Sequence, residues 1–299
     1  MGRSLLEYLK ENNISEIKGQ PFIIDAPSSG QLNMLEEESV LEWLTGRAEG
    51  SSLKEGESYD FLLHFAVYTD ALDKSRDPSL MLENNLRSFM NFHKYSSLYK
   101  SMIYTGSGAE YDKRRDITEA REEWLEEGKS PIPTDQYGLM KYTIGQLINQ
   151  SSNIYNLRIF GLFGCHEYPF RFITQMCHLS IEGQPLKINR NVYFDYLYIE
   201  DFCRLLLGFM SLDRPQYHSY NIVSGRRISL TEICGCVNAA AKEYGLGPQP
   251  VVLVNEGLSK EYTASSNRLF SELGGYECLP MAEAVKKLYG IYLNSLAPK

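Results

Sequence analysis

The sequence lacks an apolar run of the ~18 residues that a membrane-spanning helix needs. It also lacks a cluster of basic residues. Its 38 Asp and Glu outnumber its 30 Lys and Arg, and the net charge of -8 argues against nucleic acid as a main partner. We therefore expect neither a membrane protein nor a nucleic-acid-binding protein.

Cysteine is sparse as well, with six residues scattered along the chain. Cys234 and Cys236 are close together, but no His or second Cys pair lies near them, so no metal site is expected. The N-terminal stretch is interrupted by charged residues, which is typical of an amphipathic helix and not of a secretory signal. Free thiols without an export signal predict a cytoplasmic protein.

The 299 residues are 43% hydrophobic, enough for one large domain or two smaller ones. Apolar runs of strand length occur at residues 21–25, 59–66, 101–105, 156–160 and 219–223, with helical patterns between most of them. This alternation predicts an α/β fold with a parallel sheet. In such sheets, ligands bind at the carboxyl ends of strands, where Asp25, Ala66, Ser107 and Phe160 are expected.

One motif has the spacing of an acid/base pair. Tyr137 and Lys141 are four residues apart, so a helix presents both on one face. An ammonium beside a phenol favours the phenolate, which makes the phenol a better proton carrier near neutral pH. In a chain with 21 Tyr, a chance match on a solvated helix face is the simpler explanation of this motif alone.

Taken together, several motifs resemble those of the extended short-chain dehydrogenase/reductases, the NAD(P)-dependent epimerase/dehydratase enzymes that act on nucleotide sugars. The matching segments are residues 59–66, Asn85, residues 105–111, residues 137–141, residues 157–160 and residues 195–201. The resemblance covers nearly the whole chain in the family's order and spacing. It implies a Rossmann-like, doubly wound parallel sheet with a small C-terminal substrate domain.

The resemblance implies catalytic roles for Ser107, Tyr137 and Lys141. Tyr137 exchanges a proton with a sugar oxygen, Ser107 hydrogen-bonds that oxygen, and Lys141 lowers the phenol pKa and binds the nicotinamide ribose. The implied contacts of the cofactor, NAD or NADP, are Gly2, Asp25, His64, Ala66, Thr105, Tyr137, Lys141 and Phe160. The implied substrate contacts are Ser107, Gly108, Arg171 and Arg190.

Some of these assignments have alternatives, which are equally good for Asp25 and His64. Asp25 either holds the adenosine ribose or is a turn residue before Pro27. His64 either contacts the cofactor or is a strand-end histidine satisfied by backbone hydrogen bonds. Ser107 lies in a glycine-rich turn that it could simply stabilise, and any single arginine could be a solvated surface residue. The choice between NAD and NADP therefore stays open.

The sequence departs from the family at its start. The family begins with a strand and a G-x-x-G-x-x-G loop, and Gly2 matches the last of these glycines. Because the first strand is missing, we expect that the natural protein begins upstream of Met1. We also expect the chain as written to bind a dinucleotide weakly at best.

Further departures narrow the reaction. The Asp-Glu pair of 4,6-dehydratases is replaced by Gly108 and Ala109, and the Cys of GDP-fucose synthases is absent from the Ala109 position. A family Arg that binds the substrate diphosphate is replaced by Phe194. Of the family's reactions, redox chemistry at a single sugar carbon remains, as in a C4 epimerase or a 4-keto reductase.

The predicted domains are a Rossmann-like unit at residues 1–160 plus about 191–223, and a substrate-binding unit at about 161–190 and 224–299. The predicted function is an NAD(P)-dependent nucleotide-sugar epimerase or 4-keto reductase for cell-surface polysaccharide synthesis. The resemblance also implies a homodimer through the helices of Asn85 and Tyr137. The alternative is a non-catalytic remnant of the family that acts in binding or assembly.

Overall fold

The computed structural model describes residues 1–54, 56–70 and 73–296. Its strands are β1 (Glu16–Ile17), β2 (Gln20–Pro21), β3 (Tyr59–His64), β4 (Tyr99–Ser107), β5 (Ile117–Ala120), β6 (Ile154–Ile159), β7 (Gly161–Phe163), β8 (Leu186–Ile188), β9 (Tyr193–Tyr198), β10 (Ser219–Ile222), β11 (Arg227–Ser229), β12 (Val251–Leu253) and β13 (Tyr262–Ala264).

Its helices are α1 (Gly2–Glu11), α2 (Glu37–Leu44), α3 (Met81–His93), α4 (Glu123–Glu126), α5 (Gln136–Ile148), α6 (Phe172–Ile181), α7 (Ile199–Met210), α8 (Leu230–Glu243), α9 (Asn267–Glu272) and α10 (Met281–Leu296). A capping box begins α8, in which Ser229 and Glu232 each bond the other's backbone amide.

The central sheet has four parallel strands in the spatial order β10-β6-β4-β3. Four of the predicted apolar runs form these strands, so the predicted parallel sheet is confirmed. The inner strands β4 and β6 are buried along most of their length. Their near-continuous apolar sequence reflects helices on both faces of the sheet.

Alternate residues of β4 point to opposite faces of this sheet. Met102 packs with Phe89 and Met140 in a core shared with α2, α3 and α5. Ile103 belongs to the opposite core, which includes Leu5 of α1 and side chains of α7. The result is a three-layer arrangement in which α5 lies directly over β4.

A second sheet has the order β11-β9-β13-β5, with β7 also paired to β9. It mixes the antiparallel pair β11–β9 with parallel pairs on either side of β13. Strand β9 lies in the range predicted for the Rossmann-like unit, yet it belongs to this second sheet, where it pairs with β11 and β13. This sheet brings Tyr262 of β13 close to the end of β4.

The apolar run at residues 21–25 is not a strand, apart from Pro21 at the end of β2, so that expectation is wrong. Ile23 in this run is 83% exposed. Strand β3 is the outer strand of the central sheet, and no strand of the described residues pairs with its free edge. Without a neighbouring backbone to bond, an apolar run does not form a ladder. Within the described ranges, no helix is both long and apolar enough to span a bilayer.

Candidate functional site

Ser107 lies where β4 turns into a 3₁₀ helix at Gly108–Glu110. Its Oγ accepts a hydrogen bond from the Ala109 amide at 3.1 Å, and its own amide donates to Glu110 Oε1 at 3.1 Å. These two bonds form a capping box that holds the Ser107 side chain at the carboxyl end of the sheet.

A buried ion pair supports this turn from below. Glu110 Oε2 accepts from Arg158 Nε at 2.5 Å, and the two side chains are 1% and 0% exposed. Asn156 Nδ2 donates to both carboxylate oxygens of Glu110, at 3.1 and 3.0 Å. The carboxylate thus ties the Ser107 turn to two residues of β6.

Helix α5 approaches the same turn unusually closely because two of its residues have no side chain. A Cβ at Gly145 would lie 2.6 Å from Glu110 Oε2, and one at Gly138 would lie 2.8 Å from the Ala109 carbonyl oxygen. The Asp135 side chain caps the helix by accepting from the Gly138 amide at 2.8 Å. This packing brings Tyr137 over Ser107.

The Ser107 hydroxyl lies near the Tyr137 phenol and interacts with it. Burial raises the pKa of Tyr137 above the ordinary phenol value, and the Ser107 hydroxyl opposes this rise. The phenol is therefore protonated at neutral pH in this structure. The two hydroxyls that the motifs predicted to meet share one site.

Lys141 is buried one turn further along α5, as the four-residue spacing predicts. Its Nζ donates to Tyr104 Oη at 2.9 Å and to the Thr105 carbonyl oxygen at 2.6 Å. Burial lowers the pKa of Lys141 to about 8. The expected lowering of the Tyr137 pKa is wrong, because desolvation of the phenol prevails and the ammonium is engaged with β4.

Tyr262 lies beside this turn, and the sequence reasoning missed it. Although it comes from the second sheet, its hydroxyl is so close to Gly108 that a Cβ there would lie 2.5 Å away. Its ring centroid lies 4.8 Å from that of Phe160 and 5.8 Å from that of Phe194. No local motif marks Tyr262, so a signal would have required knowledge of the sheet pairing.

A cavity of about 510 Å³ is lined in part by Phe160 and Tyr262, the two aromatic side chains that border Gly108 next to Ser107. Its cationic lining residues are Lys113, Arg115, Arg171 and Lys260. Its aromatic lining residues are Phe160, Phe170, Phe172, Phe194, Tyr196 and Tyr262. Its single acidic lining residue, Glu261, is already paired with Arg227 at 2.8 Å. The cavity thus suits an anionic ligand with a flat or apolar portion.

Of the two arginines predicted to bind substrate, one lies in this cavity. Arg171 lines it, with its Nε 2.9 Å from Glu167 Oε1. Arg190 follows β8 on the exposed surface and is outside the cavity lining, so its prediction as a cavity residue is not supported. Gly108 borders the site, because a Cβ there would lie 2.5 Å from the Tyr262 hydroxyl.

The residues predicted to hold the adenosine end of a cofactor have other contacts. Asp25 Oδ2 accepts from Tyr59 Oη at 2.6 Å and from the amide and hydroxyl of Ser52 at 2.8 and 2.9 Å. Gly2 begins α1 beside Phe65, and Ala66 is exposed just beyond β3. Asp25 therefore stabilises a loop of its own domain.

Two further predicted cofactor contacts, His64 at the end of β3 and Thr105 within β4, bond or pack against other protein groups. Thr105 Oγ1 donates to the His64 carbonyl oxygen at 3.2 Å, and this bond links the two strands. The His64 ring lies against Phe92 and Tyr104, with its Nε2 3.2 Å from Ser88 Oγ. His64 thus faces the helical layer of α3.

One group of side chains has the chemistry of metal ligands. Ligand-type atoms of Glu7, Cys165 and His166 lie within 4.8 Å of one another. The Glu7 carboxylate is already paired with His166 and, at 3.0 Å, with Arg3. This cluster lies at α1, away from the lining of the cationic cavity.

Residues 1–223 match the NAD dependent epimerase/dehydratase family. The chain belongs to this family. No curated protein matches the chain.

Several solved structures share its fold across almost the full chain. A GDP-L-fucose synthetase from Naegleria fowleri is 14% identical with a TM-score of 0.75, covering 100% of this chain and 92% of that one. The GDP-mannoheptose C4 reductase from Campylobacter jejuni, with NADP bound, is 15% identical with a TM-score of 0.72, covering 98% and 94%. The Thermus thermophilus UDP-glucose 4-epimerase, in complex with NAD, is 18% identical with a TM-score of 0.69, covering 99% and 96%. These likenesses confirm the Rossmann-like fold.

Substituting Glu110 tests the support beneath Ser107. Glu110→Gln removes the charge that compensates the buried Arg158, so we expect a loss of about 3–5 kcal/mol in the free energy of unfolding. Urea denaturation followed by circular dichroism measures this loss. Glu83→Gln is the matched control, because its pair with Arg87 at 2.7 Å is exposed, and we expect a change within about 0.5 kcal/mol. Equal changes in the two variants would contradict the assigned support.

His64 gives a pH-dependent stability. Burial, aided by the charge of Lys141, lowers the pKa of His64 to about 4. Between about pH 6.5 and 4 the unfolded chain binds a proton that the folded chain does not, so stability falls as the pH falls, by up to about 3 kcal/mol. His64→Gln is expected to reduce this slope in urea denaturation. A slope unchanged by His64→Gln would refute the assignment.

Proposed function

We propose that this chain is an NAD(P)-dependent nucleotide-sugar epimerase or 4-keto reductase that uses Ser107, Tyr137 and Lys141. The observation that carries the proposal is that Ser107, Tyr137 and Lys141 lie around the carboxyl end of β4. Phe160 and Tyr262 connect the turn after β4 to a cavity with four cationic side chains. The neighbouring structures of GDP- and UDP-sugar enzymes agree with it. A role in making cell-surface polysaccharide is part of the same proposal.

The nicotinamide end of the cofactor fits the residues present. Lys141 is a buried amine at the carboxyl end of β4, and Tyr137 lies on the same face of α5. These two residues would hold the ribose next to the ring, and the bound cofactor supplies a hydride donor or acceptor. The adenosine end fits less well, because Asp25 is engaged by Ser52 and Tyr59. The proposal therefore covers both NAD and NADP.

The protonation state of Tyr137 supports one direction of the chemistry. Its raised pKa keeps the phenol protonated at neutral pH, so it can donate a proton to the oxygen of a ketone that is being reduced. Ser107 would hydrogen-bond the same oxygen and orient it. Within the two alternatives, these features favour the 4-keto reductase.

The cavity supports a substrate with a diphosphate. Lys113, Arg115, Arg171 and Lys260 supply positive charge at a place where the family Arg is replaced by Phe194. Phosphate oxygens interact favourably with such side chains, and the aromatic lining suits a base or sugar face. We propose that these four cations together replace the missing Arg.

The contacts of Lys141 and Asp25 also favour a second candidate. Both side chains are engaged by protein groups that a cofactor-binding residue would have to leave. A non-catalytic member of the family that acts in binding or assembly would keep these contacts permanently.

We further propose the homodimer through α3 and α5. Leu82, Leu86 and Met90 recur at every fourth position of α3 and are only partly buried, so they form an apolar stripe on this surface. Asn85, on the same helix, instead bonds the Tyr68 backbone at 2.8 Å and serves the fold.

Tyr137→Phe separates the two candidates. If the chain is an enzyme, removing the proton donor lowers kcat by more than about 100-fold without unfolding the protein. The assay follows NADPH oxidation with GDP-4-keto-6-deoxymannose, and interconversion of UDP-galactose and UDP-glucose with NAD. Thermal melting checks the fold, and calorimetry with NAD and NADP reports cofactor binding. Absence of both turnover and dinucleotide binding in the parent chain would favour the binding protein.

Arg171 and Arg190 form a matched pair for the substrate cavity. We expect Arg171→Ala to weaken binding of UDP-glucose or GDP-mannose about tenfold, because one charge-assisted contact is lost. Arg190→Ala should leave the Kd unchanged, since this side chain lies outside the cavity. Isothermal titration calorimetry measures both constants. A larger effect of Arg190→Ala than of Arg171→Ala would refute the assignment of the cavity.

A further inference from the structure

Lys141 is hydrogen-bonded to a tyrosine that lies outside the four-residue motif. Its Nζ is 2.9 Å from Tyr104 Oη and 4.4 Å from the centre of the Tyr104 ring. The same nitrogen is 5.9 Å from the centre of the Tyr137 ring. Of these two tyrosines, the one on β4 is therefore nearer to the Lys141 amine than the one on α5.

The Tyr104 ring is held in place by side chains from three elements. It is 2% exposed. Its centroid lies 5.3 Å from that of the His64 ring at the end of β3 and 5.6 Å from that of Phe89 on α3. Its hydroxyl lies 3.8 Å from Met140 Sδ on α5. The hydroxyl therefore cannot move away from Lys141 without disturbing the packing of these elements.

The direction of this hydrogen bond follows from the chemistry of the two groups. An ammonium has three N–H donors and no lone pair, so Lys141 donates and Tyr104 Oη accepts. The Tyr104 hydroxyl donates its own proton to Met140 Sδ. Lys141 also donates to the Thr105 carbonyl oxygen at 2.6 Å. Because both acceptors bond the charged form of the amine, both favour that form.

The remaining titratable groups around Lys141 do not replace these hydrogen bonds. The groups that face the amine from the neighbouring elements are His64, Tyr137 and Glu110. Burial opposes the charged forms of the two rings, so both are uncharged at neutral pH. The carboxylate favours the ammonium, but it is hydrogen-bonded to the Ser107 turn and to Arg158. The bonds to Tyr104 and Thr105 are therefore direct contacts that offset the burial of the charge.

We propose that Tyr104 is a positioning residue that fixes the Lys141 ammonium at the carboxyl end of β4 and keeps it charged there. This inference rests on the proposed function for its catalytic meaning, in which Lys141 would hold the nicotinamide ribose. An ammonium can only donate hydrogen bonds, so its charge decides how it meets a ribose hydroxyl. The contact between Tyr104 and Lys141 can itself be measured without any substrate.

The first test follows the protonation of Lys141. The protein is labelled with ¹³C at the lysine ε carbon, and the Lys141 signal is assigned as the NMR resonance lost in Lys141→Arg. In the parent chain, burial lowers the pKa of Lys141 to about 8, and a midpoint near the ordinary lysine value of about 10.4 would contradict the buried contact. Tyr104→Phe removes an acceptor of the charged form and should lower the midpoint by about 1 pH unit.

Tyr99→Phe is the matched control for this titration. Tyr99 is also buried on β4, and its hydroxyl donates to the Phe92 carbonyl oxygen at 3.1 Å. It precedes Tyr104 by five residues, so its loss should leave the Lys141 midpoint unchanged. Thermal melting shows that each variant is folded. An unchanged Lys141 midpoint in folded Tyr104→Phe would overturn the inference.

The second test measures kcat/KM against pH with GDP-4-keto-6-deoxymannose and NADPH. If the reaction needs a charged Lys141, activity falls as the pH rises through the pKa of this amine, and Tyr104→Phe should move that fall about 1 pH unit lower. At pH 6 the amine is charged in both proteins, so Tyr104→Phe should recover to within about twofold of the parent, which a purely structural defect would not do.

The outcomes of the second test separate the two proposals. If Tyr137→Phe leaves turnover unchanged, the proposed function is wrong. If Tyr137→Phe inactivates the enzyme but the pH profile of Tyr104→Phe coincides with that of the parent, the function stands and the positioning role of Tyr104 is wrong.

Discussion

The buried pair between Glu110 and Arg158 is the interaction on which the site depends. Its carboxylate holds the Ser107 amide, receives both bonds from Asn156, and lies against the bare backbone of Gly145. Such pairs add little net stability over an apolar core, because both ions lose their hydration. The pair instead fixes geometry, because it holds the turn after β4, the strand β6 and the helix α5 in one arrangement.

In that arrangement Tyr137, Lys141 and His64 are buried away from water, and desolvation shifts their pKa values. It raises the pKa of Tyr137, lowers that of Lys141 to about 8 and lowers that of His64 to about 4. All three shifts favour the uncharged form. At neutral pH the Tyr137 phenol therefore keeps its proton, and Lys141, with a pKa of about 8, still carries most of its charge. The cations of the neighbouring cavity add to the field that an anionic substrate would meet.

The strands of the central sheet and the helix α5 could be predicted from the sequence, because apolar runs and helical spacing are local signals. The strands β3, β4, β6 and β10 coincide with four of the predicted apolar runs, and the four-residue spacing put Tyr137 and Lys141 on one face of α5. The predictions that failed depend on contacts between residues that are distant in the sequence. The run at residues 21–25 has strand composition but no partner, and Lys141 bonds Tyr104 and Thr105 instead of acting on the Tyr137 phenol. Arg190 lies on the exposed surface outside the cavity lining, a position that its charge alone does not reveal.

Tyr262 shows why the site could not be completed from motifs. Its closeness in space to the Ser107 turn is set by the pairing of β13 with β9 and β5, which no local pattern encodes. The same pairing makes it a wall of the cationic cavity, with its hydroxyl against the bare backbone of Gly108, next to Ser107. A ligand in the cavity that shifted β13 would therefore also shift the surroundings of the Ser107 turn.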